Sequence, residues 1–229
     1  MGDRSWLNNP VLTNPDGLLK AITDTLFMSG MTMLLTVLLG LPLGMLLYAT
    51  SKQGLIPNSA VNSVVGTIVN IGRSMPFIIL MIALIPFTRA VMGTALGAGA
   101  AVVPLSVGAI PYFARLVEIN LREVEAGKVE AAQMMGASRL QIMWQVLLAE
   151  AKPGIIGSIT AAAVTVISYT AMAGAVGGGG LGDMAIRYGY NRFMPDVMIV
   201  TVVLLIVIVQ VVQMVGDRLA RAVDHRKRA

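Results

Sequence analysis

An all-α integral membrane protein with five transmembrane helices is the fold class this 229-residue sequence predicts, on three observations. Apolar residues make up 56% of the chain and charged residues only 13%, where soluble domains carry about 25%. Mean hydropathy is +0.77. Apolar runs near 25–49, 60–90, 97–117, 154–176 and 197–215 are each of a length suited to crossing roughly 30 Å of hydrocarbon. Most charges fall between these runs or at the ends of the chain, as lipid solvation requires. Cysteine is absent, which removes disulfides, thiol nucleophiles and thiolate metal sites. The only histidine, His225, sits in a basic tail, so no metal cluster or histidine triad can form. A net charge of +5 would draw nucleic acid to a soluble protein; here its distribution points to membrane lipid and not to nucleic acid.

Residues 1–24 read as a tail and short interfacial helix, with a turn at Asn14-Pro15-Asp16-Gly17 and an apolar face of Leu18, Leu19 and Ile22. The charged start is not followed promptly by a short apolar region and small-residue cleavage site, so no signal peptide is read there. The first span is uncharged, and Gly40-Leu41-Pro42-Leu43-Gly44 predicts close helix contact with a bend. Lys52 and Pro57-Asn58 mark a short polar loop.

The second apolar run is laced with Asn62, Ser63, Thr67 and Asn70 and interrupted by Arg73-Ser74-Met75-Pro76. From Arg73 to Arg89 a helix covers only about 22 Å, too short to span. The helix is therefore expected to begin earlier, with Arg73 buried against protein near a Pro76 kink as a structural or intramembrane charge. The third run carries Pro104 and Pro111, which break the hydrogen-bond ladder. Freed carbonyls at membrane depth need protein or a water-lined path, so this helix is expected to be internal.

The fourth run concentrates hydroxyls at Thr160, Thr165, Ser168, Tyr169 and Thr170. Such groups either bond the preceding turn and neighbouring helices or line a polar path. Ser168, Tyr169 and Met172 are the candidate path or gate residues, methionine being flexible enough to plug a path of changing shape. The glycine run from Gly177 to Gly182 ends the helix; without Gly-Lys-Ser/Thr or a preceding strand it is no phosphate loop. Asp183, Arg187, Tyr188, Tyr190, Arg192 and Phe193 then form an aromatic and basic patch, either an interfacial belt or a docking surface. The fifth run, from Val197 to Val215, has valine, isoleucine or threonine at 13 of 19 positions and neither glycine nor proline, predicting a straight helix on the lipid side. Residues 217–229 form a basic tail.

The long charged stretch from Glu123 to Pro153 organises the rest. Ala131, Ala132 and Met135 lie among good helix formers, and Gly136 supplies a left-handed helix end. Ser138-Arg139-Leu140-Gln141 fits a capping box, with the Ser138 hydroxyl taking the Gln141 amide and the Gln141 side chain reaching back. The spacing predicts helix, glycine turn and second helix from Arg139 at the membrane surface. Ala131 and Ala132 are expected to leave one face flat for a partner.

Glu130-Ala131-Ala132, three residues, then Gly136 resembles the EAA loop of ABC importer membrane subunits, which docks as a coupling helix on a separate ATPase subunit. Val146 and Leu148 fit the apolar positions that follow; Ala149 stands where that family usually has proline, and Pro153 comes four residues later. Arg73 to Leu80, Ile85-Pro86-Phe87-Thr88-Arg89, Ala173 to Gly182 and Tyr188-Gly189-Tyr190 further resemble the D,L-methionine permease subunits of bacterial ABC importers, over about Thr25 to Arg221. The resemblance implies the type I ABC importer permease fold and no catalysis by this chain. It implies a homodimer, two ATPase subunits on the cytoplasmic side that carry ATP and magnesium, and an extracytoplasmic methionine-binding protein. Glu130, Ala131, Ala132, Gly136, Ser138 and Gln141 become candidate coupling residues, at positions 123–153 of a transmembrane domain covering 25–216.

Five spans place the termini on opposite sides. With the tail inside, eleven lysines and arginines face the cytoplasm and five the other side, Arg73 being counted with neither. This predicts an N-terminus outside and a C-terminus in the cytoplasm, and the resemblance implies the bacterial cytoplasmic, or inner, membrane. A secondary carrier calls for internal repeats and coupling charges within spans, and no Asp or Glu lies deep in any run. A membrane enzyme calls for an acid, base or metal cluster, and none is visible. The expected function is a permease moved by an external motor by alternating access, for methionine in L and D forms; another amino acid or a small anion is the alternative cargo.

Overall fold

In the computed structural model, residues 10–13 and 15–223 are described. Residues 1–9 and 224–229 lie outside that description, and with them Asp3, Arg4, His225 and the last three tail cations, as does Asn14 of the expected turn. The described chain is helical: α1 (Pro10–Thr13), α2 (Pro15–Thr50), α3 (Ser59–Ser74), α4 (Phe77–Ala83), α5 (Ile85–Met92), α6 (Ala98–Arg122), α7 (Ala126–Met134), α8 (Arg139–Gln141), α9 (Leu148–Gly174), α10 (Gly180–Met184) and α11 (Pro195–Val223). Two wide π-turns, Ile142–Leu147 and Ala185–Tyr190, join α8 to α9 and follow α10. Among the described residues four helical stretches are long and apolar enough to cross a membrane: Gly17–Thr50, Ala98–Arg122, Arg139–Gly174 and Pro195–Val223. Taking α3 and α4 together as one bent span makes five.

Several expectations are revised. The second run is not one helix but breaks by 103° between α3 and α4. Pro76 forces Met75 into an extended conformation (ψ 129°), which ends α3 one residue earlier. Arg73 is accordingly exposed in the last turn of α3, where its charge suits the helix C-terminus, and is not buried against the rest of the chain. The helix α6 runs on through Pro104 and Pro111, each of which still leaves a carbonyl without its ladder bond, and α9 runs on through Pro153. The chain from Arg139 to Gly174 is one helix with a π-turn near its start, so the second of the two expected helices runs on into the fourth span, while α7 forms as the separate first one. Leu18 and Ile22, assigned to an interfacial helix, belong to the first turns of α2 and pack on Leu181, Met184 and Val197.

The helices contribute to two compact units. In the first (residues up to 34, 76–107 and 163–211), Met28, Phe77, Met81, Leu105 and Ala173 form a buried cluster, and Tyr169 stacks on Phe77 with ring centroids 4.2 Å apart and planes within 1°. Thr25, buried on α2, accepts the amide of Leu181 at 2.9 Å while donating to the Ala21 carbonyl, which fixes the glycine segment after α9. In the second (35–75, 108–162 and from 212), α2 and α6 meet at Gly40 and Gly44. A methyl group on Gly40 would sit 2.9 Å from Phe113, and one on Gly44 2.6 Å from Val117, so only glycine permits this approach. Asn120 of α6 donates to Ser158 of α9 at 2.8 Å within the same unit. The helix α11 is mostly exposed, as its uninterrupted β-branched composition predicts for a lipid-facing span.

Candidate functional site

The second unit carries the candidate coupling element. Helix α7 ends in a complete pair of backbone bonds: Gly136 N–H donates to the Gln133 carbonyl and Ala137 N–H to the Ala132 carbonyl, both at 3.0 Å. Gly136 has φ +80°, the left-handed conformation this closure requires. Two residues on, the capping box forms as expected: the Gln141 amide donates to Ser138 Oγ at 3.3 Å and the Ser138 amide to Gln141 Oε1 at 2.8 Å. An elbow results whose turn is closed by local hydrogen bonds.

What the elbow displays is apolar. Met134 and Met135 are 91% and 81% exposed, and Leu140 and Trp144 are also exposed. Glu130 and Ala131 share this outward exposure, whereas Ala132 is 5% exposed, so only Ala131 of the expected flat pair faces away from the chain. Methionine side chains bind without demanding one fixed shape, and exposed apolar groups clustered in this way make the elbow a candidate interaction surface. Lys128 ties α7 to Glu150 of α9 at 2.6 Å.

Behind the elbow lies a group that reading the sequence missed. Glu118 of α6 is 1% exposed and is held by Arg115 Nη1 and Arg122 Nη2, each at 2.6 Å. A buried carboxylate needs such donors to offset its lost hydration. Arg122 also lines a cavity of about 450 Å³ together with Val129, Glu130 and Gln133 of α7. The spacing of Arg115 and Arg122, three residues before and four after the acid, is the signal that could have identified it.

The candidate path residues lie on α9 in the first unit. Thr160, Ser168 and Thr170 donate to carbonyls of their own preceding turn, at 3.0, 3.2 and 2.7 Å, Thr160 belonging to the second unit. Ser168 and Met172, one turn apart, are exposed on one face, while Tyr169 turns inward onto Phe77. Tyr169 therefore does not share the outward face of the other two. In the patch after the glycines, Arg187 pairs with Asp183 at 3.0 Å and Arg192 lies 4.7 Å over the Tyr188 ring. Tyr190 and Phe193 are exposed, and Phe193 has φ +51°, an uncommon conformation for a residue with a side chain.

The profile of the family described as binding-protein-dependent transport system inner membrane component matches residues 40–229. The probable D-methionine transport system permease protein MetI of Vibrio cholerae is 54% identical over 213 residues, covering 93% of this chain and 95% of that protein. The methionine import system permease protein MetP of Bacillus subtilis is 47% identical over 181 residues, covering 79% and 82%. A solved chain of the MetNI methionine ABC transporter in an inward-facing conformation superposes with a TM-score of 0.90 at 44% identity, covering 93% of this chain and 100% of that one. An amino acid ABC transporter chain superposes at TM-score 0.74 with 17% identity, which speaks to the fold alone. With the family profile spanning most of the chain and relatives alike over nearly their full length, this protein belongs to the binding-protein-dependent transport system inner membrane component family.

Proposed function

We propose that this chain is the permease subunit of an ATP-driven methionine importer, working as a homodimer with two ATPase subunits and a separate methionine-binding protein. The observation that carries the reading is near-full-length likeness to methionine permeases together with an exposed apolar elbow suited to docking a motor subunit. The protein is a multi-span inner membrane component. We place the elbow and the C-terminus in the cytoplasm and the N-terminus outside, supported by the excess of lysine and arginine on the elbow's side. ATP and magnesium belong to the partner subunit.

The mechanism is alternating access. Glu130, Ala131, Gly136, Ser138 and Gln141 build or display the docking element, and Ala132 anchors α7 to the chain. Nucleotide binding draws the two ATPase subunits together, and with them the paired elbows. The continuous helix from Arg139 to Gly174 supports transmission, because it joins the elbow directly to Ser168 and Met172. These two, on an exposed face open to a second copy, are the path or gate residues; Tyr169 stiffens that segment through Phe77. Arg73 is a helix-terminal charge at the break before α4.

Labelled methionine uptake into vesicles reconstituted with all three components tests the reading. ATP-dependent uptake, outcompeted by methionine and not by other amino acids, is expected. Uptake that prefers another amino acid or a small anion would reassign the cargo, and uptake without the ATPase would favour a carrier.

A further inference from the structure

The first unit contains an open cavity of about 600 Å³, inside the range of small-molecule sites, between the first turns of α2, the start of α6 and the glycine segment before α10. Lys20, Asp24, Asp183, Arg187 and Arg192 all reach its wall. Arg187 and Asp183 neutralise each other at 3.0 Å. Among the described residues Lys20, Asp24 and Arg192 enter no ion pair, although Lys20 and Asp24 stand one turn apart on the same helix. Among the described residues the cavity thus offers two cations and one carboxylate that no ion pair neutralises. Beside them, Val11, Ala21, Ala98 and Met184 supply apolar wall.

We infer that this cavity binds a zwitterionic α-amino acid with an apolar side chain. Lys20 and Arg192 take the carboxylate and Asp24 takes the ammonium group. A simple anion would gain from the cations but meet Asp24, and a simple cation would meet the reverse, so only a ligand carrying both charges satisfies all three groups. The glycine segment makes room for this. Gly179, at φ +80°, faces the carboxylate, and a methyl group there would stand in van der Waals contact with Asp24 Oδ2 at 3.4 Å, in space an ammonium group would use. Tyr188 holds the Arg192 guanidinium over its ring, orienting a long side chain that would otherwise lose more entropy on binding. The choice of methionine as the amino acid rests on the permease reading; the demand for both charges does not.

Equilibrium binding of radiolabelled L-methionine to the solubilised permease–ATPase complex, without the binding protein, tests the site. Asp24→Asn is expected to weaken binding by about tenfold or more, and so is the double variant Lys20→Gln/Arg192→Gln. Methionine amide, lacking the carboxylate, and the 2-hydroxy analogue, lacking the ammonium, are expected to compete at least about tenfold less well. Lys20 and Arg192 are exposed, so their variants keep the test valid if Asp24→Asn fails to assemble. Variants that bind as wild type, analogues that compete equally, or no detectable wild-type binding would each overturn the proposal. Displacement by phosphoethanolamine in preference to methionine would assign the cavity to a lipid headgroup and overturn it as well. Wild-type methionine uptake with all components present would survive any of these results if the permease reading is right, and would fail if that reading is wrong.

Discussion

Replacing Gly136 by valine puts a β-branched residue into a left-handed turn. An added Cβ meets nothing within 4 Å, so side-chain collision contributes nothing to the penalty. What remains is the backbone: at φ +80° an ordinary L-residue loses about 1–2 kcal/mol, and a β-branched one more. The turn also holds the two bonds from Gly136 and Ala137, each worth about 1 kcal/mol net. A loss of about 2 kcal/mol lowers the population of the elbow roughly thirtyfold relative to its alternatives, while the spans stay inserted. Gly136→Asn should be far milder, because asparagine visits this region readily. In reconstituted vesicles, methionine transported per ATP hydrolysed should fall by about tenfold for the valine variant and stay within about twofold for the asparagine variant. Equal coupling in both variants, or normal coupling in the valine variant, would refute the reasoning from backbone conformation.

Three further substitutions probe other contacts. Met134→Asp places a charge on the most exposed apolar side chain of the elbow and should reduce co-purification with the ATPase subunit, at a loss of about 1.5–3 kcal/mol of apolar burial, while membrane insertion is unchanged; undiminished co-purification counts against docking there. Thr25→Val removes the acceptor of the buried Leu181 amide and should cost about 1–3 kcal/mol, read as a lower melting temperature of the solubilised complex, with Thr25→Ser largely restoring it. Glu118→Gln removes the charge shared by Arg115 and Arg122; because both arginines are partly exposed, about 1–2 kcal/mol is expected in the same melting assay, and an unshifted melt would show the cluster to be idle.

The elbow was legible in the sequence because its parts are local. A glycine past a helix end and a serine three residues before a glutamine each act within one turn, and both formed as written. The proline positions were less legible. Pro76 broke its helix while Pro104, Pro111 and Pro153 sit within continuous ones, since the outcome depends on whether neighbouring elements satisfy the freed carbonyls. Arg73 followed from the same uncertainty: once the chain turned at Pro76, the last turn of α3 had no protein over it. The burial of Ala132 beside exposed Ala131 depends on how α7 rolls against its unit, which two adjacent alanines do not encode. The π-turn from Ile142 to Leu147 left no residue signal and shifts the register of every later α9 side chain.

Because this chain contains no cysteine, a single-cysteine label placed in it has no background from the permease itself. A spin label at Ala131, introduced as Ala131→Cys, reports the distance between the two copies of the elbow in the assembled transporter. This distance is expected to shorten when the ATPase subunits bind a non-hydrolysable ATP analogue and to lengthen again when the nucleotide is removed. A distance that stays fixed through the nucleotide cycle while methionine is still imported would contradict coupling through the elbow.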